Sequence, residues 1–94
     1  MDIVWREVAI DGLERARSYI AQHNPAAAER TRQTILTAVG RLADRPNLGR
    51  PGRVEGTREL VILRKRYIVA YAVVDDKIAI VAVQHTAQRW PDQF

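Results

Sequence analysis

The chain contains no cysteine, which excludes disulfides and thiolate metal sites and suits a reducing cytoplasm, the expected location. Histidine is scarce: His23 and His85 are the only two, far apart in sequence, so no histidine-based zinc site is expected, and neither a metal nor a cofactor. No apolar run approaches the ~20 residues that span a bilayer. The opening Met1-Asp2-Ile3-Val4-Trp5-Arg6 lacks the basic-then-apolar order of a signal peptide, and no membrane partner is expected. The acids are scattered, which argues against a two-carboxylate glycosidase-like site. Repeats and low-complexity segments are lacking too. The 94 residues therefore read as a single domain, 1–94, whose folding buries roughly 60–65% of the unfolded surface. Residues 91–94 read as a tail beyond the last strand, its order left open.

What the chain does hold is 47% hydrophobic residues and a net charge of +4, a normal globular composition. The charge is unevenly spread. Between Arg41 and Arg66 lie eight cations (Arg41, Arg45, Arg50, Arg53, Arg58, Arg64, Lys65 and Arg66) against the acids Asp44, Glu55 and Glu59. Thirteen of the fifteen basic residues are arginine. Codon bias in a GC-rich genome accounts for such a ratio but not for the clustering. Arginine's planar fork matches phosphate and carboxylate bidentately, so the middle segment suits nucleic acid or an acidic protein partner.

Hydrophobic periodicity predicts a short strand over Asp2–Arg6, with Ile3 and Trp5 on one face. A helix follows over Val8–Gln22, buried through Ala9, Leu13, Ala16 and Ile20. Asn24 is a suitable N-cap and Pro25 fits the first position of a second helix, Pro25 to about Ala43, with Ala28, Ile35, Val39 and Leu42 on its apolar stripe. Residues 44–56 hold three of the five glycines and two of the four prolines and read as a loop. Three strands follow: Glu59–Leu63, Tyr67–Val74 and Ile78–Gln84, the last two joined by a tight turn at Asp75-Asp76. The order β-α-α-β-β-β predicts a small α+β domain, a helical hairpin packed on one face of an antiparallel sheet.

That order, together with "NPAAAER", "LGRPGRVEGTREL", "YIVAYAV" and "VQHTAQRWP", resembles the RelE/ParE superfamily, the toxic halves of bacterial type II toxin–antitoxin modules. The resemblance runs from Trp5 to Pro91. It implies a growth-arresting toxin, of the kind linked to plasmid stabilisation. Its partner would be a cognate antitoxin, a small, partly disordered chain with an acidic helical segment that wraps the toxin. Operator DNA would be met only through that antitoxin. Within the superfamily, ParE-like members poison DNA gyrase, and RelE-like members are metal-independent endoribonucleases that cut mRNA on the ribosome.

The two activities ask for different residues. RNA cleavage needs a base, cations around the in-line phosphate and an acid for the leaving oxygen. Arg58, Arg64, Lys65 and Arg66 offer charge, His85 a titrating group, Glu59 a base, and Tyr67 or Tyr71 a face to stack on a nucleobase. Each also has a plainer reading: Glu59 paired with Arg58 or Arg66 across the hairpin, the tyrosines as strand core, His85 capping the sheet on the face of Ala79, Val81 and Val83. RelE-like nucleases typically carry Tyr-Arg-x-x-Tyr on the middle strand, where this chain has "YIVAY" with Ile68 in the arginine's place. An apolar Ile68 cannot stabilise a phosphorane, and the reading leans to the ParE-like class. A target- or antitoxin-binding surface is then expected at Arg50, Arg53, Arg58, Arg64, Lys65, Arg66, Arg89 and Trp90. Trp90 serves there as an interface anchor or folds back over the open face of the sheet. A non-toxic antitoxin-binding co-repressor is the third reading.

Overall fold

A computed structural model of the chain describes residues 1–87 and Trp90; Arg89 and the expected tail at 91–94 lie outside the described residues. Strand β1 (Asp2–Trp5) leads into α1 (Glu7–Ala21) and α2 (Pro25–Gly40), which tightens into one 3-10 turn over Arg41–Ala43. Strands β2 (Arg50–Pro51), β3 (Arg58–Ile62), β4 (Tyr67–Val74) and β5 (Lys77–His85) complete a five-stranded sheet in the order β1-β5-β4-β3-β2. No helix among the described residues is long and apolar enough to cross a membrane.

The α+β class and the helical hairpin stand as the periodicity predicts. Asn24 caps α2, its Oδ1 accepting the Ala27 N–H at 3.0 Å, with Pro25 at the first helical position. Ala28, Ile35, Val39 and Leu42 are buried beneath that helix. Of these, Ile35, Val39 and Leu42 meet Leu60, Ile62, Tyr67, Val69, Tyr71, Ile78, Ile80 and Val83 from the sheet, with Ile3 and Trp5 packed at the margin. Burying side chains of this kind contributes about 1.5–3 kcal/mol each.

Three features depart from the expectation. The sheet is mixed, because β1 pairs parallel with β5, Asp2 opposite Lys77 and Trp5 opposite Ile80. A parallel pair needs a long crossover, and everything from α1 to β4 supplies it. Within the presumed loop, Arg50 and Pro51 add a two-residue edge strand to β3. Finally, β5 carries a bulge: Ala70 faces Ala82 but Tyr71 faces Ile80, so Val81 is the extra residue. Past the bulge the alternation reverses. Ile78, Ile80 and Val83 all face the helices, while Val81 and Ala82 join Ala70 on the far face. His85, opposite Tyr67, therefore lies with Val83 on the helical side, not on the face of Ala79 and Val81.

Candidate functional site

The basic run of the sequence is split by the fold between the two ends of β3. Arg50, Arg53 and Arg58 gather at one end, and Arg64, Lys65 and Arg66 form the β3–β4 turn at the other. The extended strand β3 from Arg58 to Ile62 alone puts about 13 Å between them.

At the loop end the cations are engaged. Glu59 lies opposite Ala70 on the far face and is only 2% exposed. One of its oxygens accepts Arg50 Nη2 at 3.1 Å, and the other accepts the backbone N–H of Arg53 at 2.8 Å and its Nε at 3.2 Å. The sequence-level alternative of a pair with Arg58 or Arg66 is thus replaced by one with Arg50 and Arg53. The strand alternation points Arg58 to the other face, and Arg66 sits at the far end of the hairpin. Burial raises the Glu59 pKa, but the Arg53 backbone N–H and the two guanidinium groups outweigh it and hold the carboxyl below its ordinary value. The Arg53 guanidinium also stacks 4.1 Å from the centroid of the Trp90 ring. Trp90 packs on Ala70, Val81 and Ala82, so it does cover part of the far face.

Arg58 donates to the Gly49 carbonyl at 2.8 Å. Tyr71, fully buried, accepts the Gly49 N–H at 2.8 Å and donates to the Pro46 carbonyl at 2.7 Å. These two residues hold the 44–49 loop, and Tyr71 has no open face on which a nucleobase could stack. Ile68 is buried on the far face, 4% exposed.

The hairpin end is different. Arg64, Lys65 and Arg66 are exposed, and none takes part in an ion pair among the described residues. The turn holds Leu63, Arg64 and Lys65 at φ of 55°, 55° and 70°. Left-handed backbone costs an ordinary L-residue roughly 1–2 kcal/mol, and Gly, Asn and Asp take it more readily. The β4–β5 turn uses that chemistry, with Asp75 and Asp76 at 51° and 60°. The β3–β4 turn instead keeps bulky cations in a strained conformation.

Beside it, Tyr67 and His85 meet edge to face with ring centroids 5.1 Å apart. His85 Nδ1 accepts the Ala87 N–H at 3.0 Å, which in the neutral ring puts the proton on Nε2. Burial pushes the Tyr67 phenol up, against the opposing charge of Arg66, so it stays protonated at neutral pH. Both rings line a groove of about 370 Å³ between α1 and the end of β5, walled by Val8, Gly12, Arg15 and Tyr19. Tyr19 is 67% exposed. Arg15 and Tyr19 were not singled out by the sequence reading. The available signal was a second stripe on α1, Val8-Gly12-Arg15-Tyr19, adjoining the buried one at helical spacing. Of the nuclease candidates, the structure brings together His85, Tyr67 and the triplet, and keeps Arg58 and Glu59 away from them.

Comparison with known proteins agrees with this architecture. The family described as the ParE toxin of the type II toxin–antitoxin system parDE matches residues 3–90. The protein Y4kP of Sinorhizobium fredii, named a toxin, is 42% identical over 89 residues, covering 95% of this chain and 92% of its own. Toxin RelE2 of Caulobacter vibrioides is 36% identical over 86 residues, covering 92% and 96%. A solved chain of the chromosomal ParDE system from P. aeruginosa superposes with a TM-score of 0.84 at 25% identity, covering 90% of this chain and 95% of that one. With both helices, the sheet and nearly the whole length matched, the chain belongs to the ParE family of RelE/ParE toxins of type II toxin–antitoxin systems.

Proposed function

We propose that this toxin arrests growth by binding its target, in the manner of the gyrase-directed class, and not by cutting RNA. The observation that carries the reading is the dispersal of the residues cleavage would need. Glu59 is saturated by two arginines on one face of the sheet, and His85 lies on the other. Arg58 is committed to a loop carbonyl, and Ile68 stands where a phosphate-binding arginine would be needed. Glu59 and Arg58 therefore cannot share one phosphate with His85, Tyr67 and the triplet, and the full set of groups does not converge. A binding surface makes no such demand: the exposed triplet Arg64-Lys65-Arg66 offers charge outside any ion pair among the described residues, and the groove at Tyr67 and His85 adds Arg15 and the aromatic Tyr19. In this reading the toxin acts in the cytoplasm and meets operator DNA only through its antitoxin.

One observation favours the ribosome-dependent interferase instead: Tyr67, His85 and Arg66 adjoin one another at the hairpin end. Controlled expression in a bacterial host, sampled within minutes, separates the two. DNA breaks and an SOS response with intact messages are expected. Codon-spaced cuts in translated mRNA with intact DNA would transfer the assignment to the interferase. No growth arrest, with antitoxin binding retained, would assign the co-repressor role.

A further inference from the structure

Strand β1 pairs with β5 only from Lys77 to Ile80, and the pairing ends where the Arg6 N–H donates to the Ile80 carbonyl. Beyond that point the outer edge of β5 meets no strand, and α1 runs alongside it instead. The Val83 carbonyl faces the helix, since a Cβ on Gly12 would come 2.5 Å from its oxygen. The N–H and C=O of one strand residue point to the same side. The Val83 N–H therefore faces α1 as well, and it has no backbone acceptor among the described residues. The groove of about 370 Å³ lies over this edge, a size that suits a small molecule. One end of it is aromatic. Tyr67 and His85 meet edge to face there, and the exposed Tyr19 stands across from them on α1. The Tyr67 phenol lies within the fields of both Arg66 and Tyr19, which puts the Arg66 guanidinium at the same end as the rings. Arg15 lines the wall one helical turn before Tyr19. Neither arginine is ion-paired among the described residues, and no carboxylate among them lines the groove.

We propose that this groove binds a nucleotide, its base held against Tyr19, Tyr67 and His85 and its phosphate by Arg15 and Arg66. The site goes beyond the proposed target binding, and its groups are the same whether or not gyrase is the target. Three features select this chemistry. Aromatic side chains at one end favour a planar heteroaromatic base, which stacks on them. Two arginines with no acid beside them favour an anion, and the guanidinium fork fits phosphate. The Val83 N–H offers a donor to an acceptor atom on the edge of a base. A flat base joined to phosphate satisfies all three. A free mononucleotide and the 5′-phosphorylated end of a nucleic-acid strand present this same chemistry.

Calorimetric titration of the free toxin, as the full chain, tests the site with AMP, adenosine and inorganic phosphate. AMP should bind with a Kd below about 1 mM, and at least about tenfold more tightly than adenosine or phosphate alone. Tyr19→Ala should weaken AMP binding about tenfold, and Tyr19→Phe, which keeps the ring, should bind as the parent does. Arg15→Ala should weaken AMP binding and leave adenosine binding unchanged. Both side chains are exposed, so these variants should keep the parent's circular dichroism spectrum. A 5′-phosphorylated tetradeoxynucleotide that binds more tightly than AMP, with the same loss in Tyr19→Ala, would support the site and assign it to a strand end. Equal or weaker binding of that oligonucleotide would support a free nucleotide. AMP binding no tighter than phosphate would mean an anion on surface cations only and would overturn the proposal. Full AMP affinity in Tyr19→Ala would overturn it too, by placing the nucleotide elsewhere.

Discussion

Among the described residues Glu59 is the only charged side chain that is buried. A carboxylate is tolerated there because its oxygens accept from four N–H groups, three on two guanidinium ions and one on the backbone. Its depressed pKa makes it a pH-dependent contributor to stability. Because the folded value lies below the unfolded one, the contribution is fully present above the ordinary glutamate pKa of about 4.3 and is lost as pH falls through the folded value. Glu59→Gln should destabilise the domain by about 1–3 kcal/mol at pH 7, toward the lower end because both arginines are half exposed and screened. The gap between variant and parent should narrow in urea titrations at pH 4 and below. A gap independent of pH would mean that shape and not charge holds the site.

At the scale of elements, α1 closes on β5 through Gly12. A Cβ there would come 2.5 Å from the Val83 carbonyl oxygen, nearer than backbone can accept, so the helix rests directly on the strand beyond the end of β1. Gly40, at the end of α2, has nothing within 4 Å of the same virtual atom. The same substitution should therefore act in opposite directions. Gly40→Ala should stabilise by about 0.5–1 kcal/mol through helix propensity and the unfolded state. Gly12→Ala should cost about 1–3 kcal/mol, since the clash exceeds that gain. Thermal melts of the two variants decide it; equal shifts would mean that α1 can lift off β5 freely. The Gly12 contact also shapes the groove beside His85, so the costly variant alters a candidate surface and not only the core.

Over the whole molecule, charge is divided between a consumed set and a free set. Reversing Arg64, Lys65 and Arg66 to glutamate together should leave the fold intact, since exposed substitutions usually fall within about 0.5 kcal/mol each. It should abolish or sharply weaken growth arrest, and the parent's target binding should weaken as salt rises. Retained arrest and unchanged antitoxin affinity in that variant would remove the turn from both surfaces. Reversing Arg50 and Arg53 should instead act through stability, because it strips Glu59 of its partners.

The sequence by itself determined the order and type of every strand and α-helix except β2, the apolar stripes of both helices, the cap at Asn24 and the family. Each of these is written in local spacing or in motifs along one stretch of chain. The placement of the charges was decided only in three dimensions. A period-two reading from Ile78 onward carries His85 to the wrong face, because the one-residue bulge at Val81 leaves no mark in an apolar run. Glu59 finds Arg50 and Arg53 only because a two-residue strand forms inside a glycine- and proline-rich stretch, where propensity predicts none. Six of the eight cations clustered in sequence become two groups because the extended strand β3 separates its ends by about 13 Å, and strand alternation then sends neighbours such as Arg58 and Glu59 to opposite faces. Which cations remain free to meet a partner is a matter of which carboxylates and carbonyls the fold brings within reach, and those contacts join residues distant along the chain.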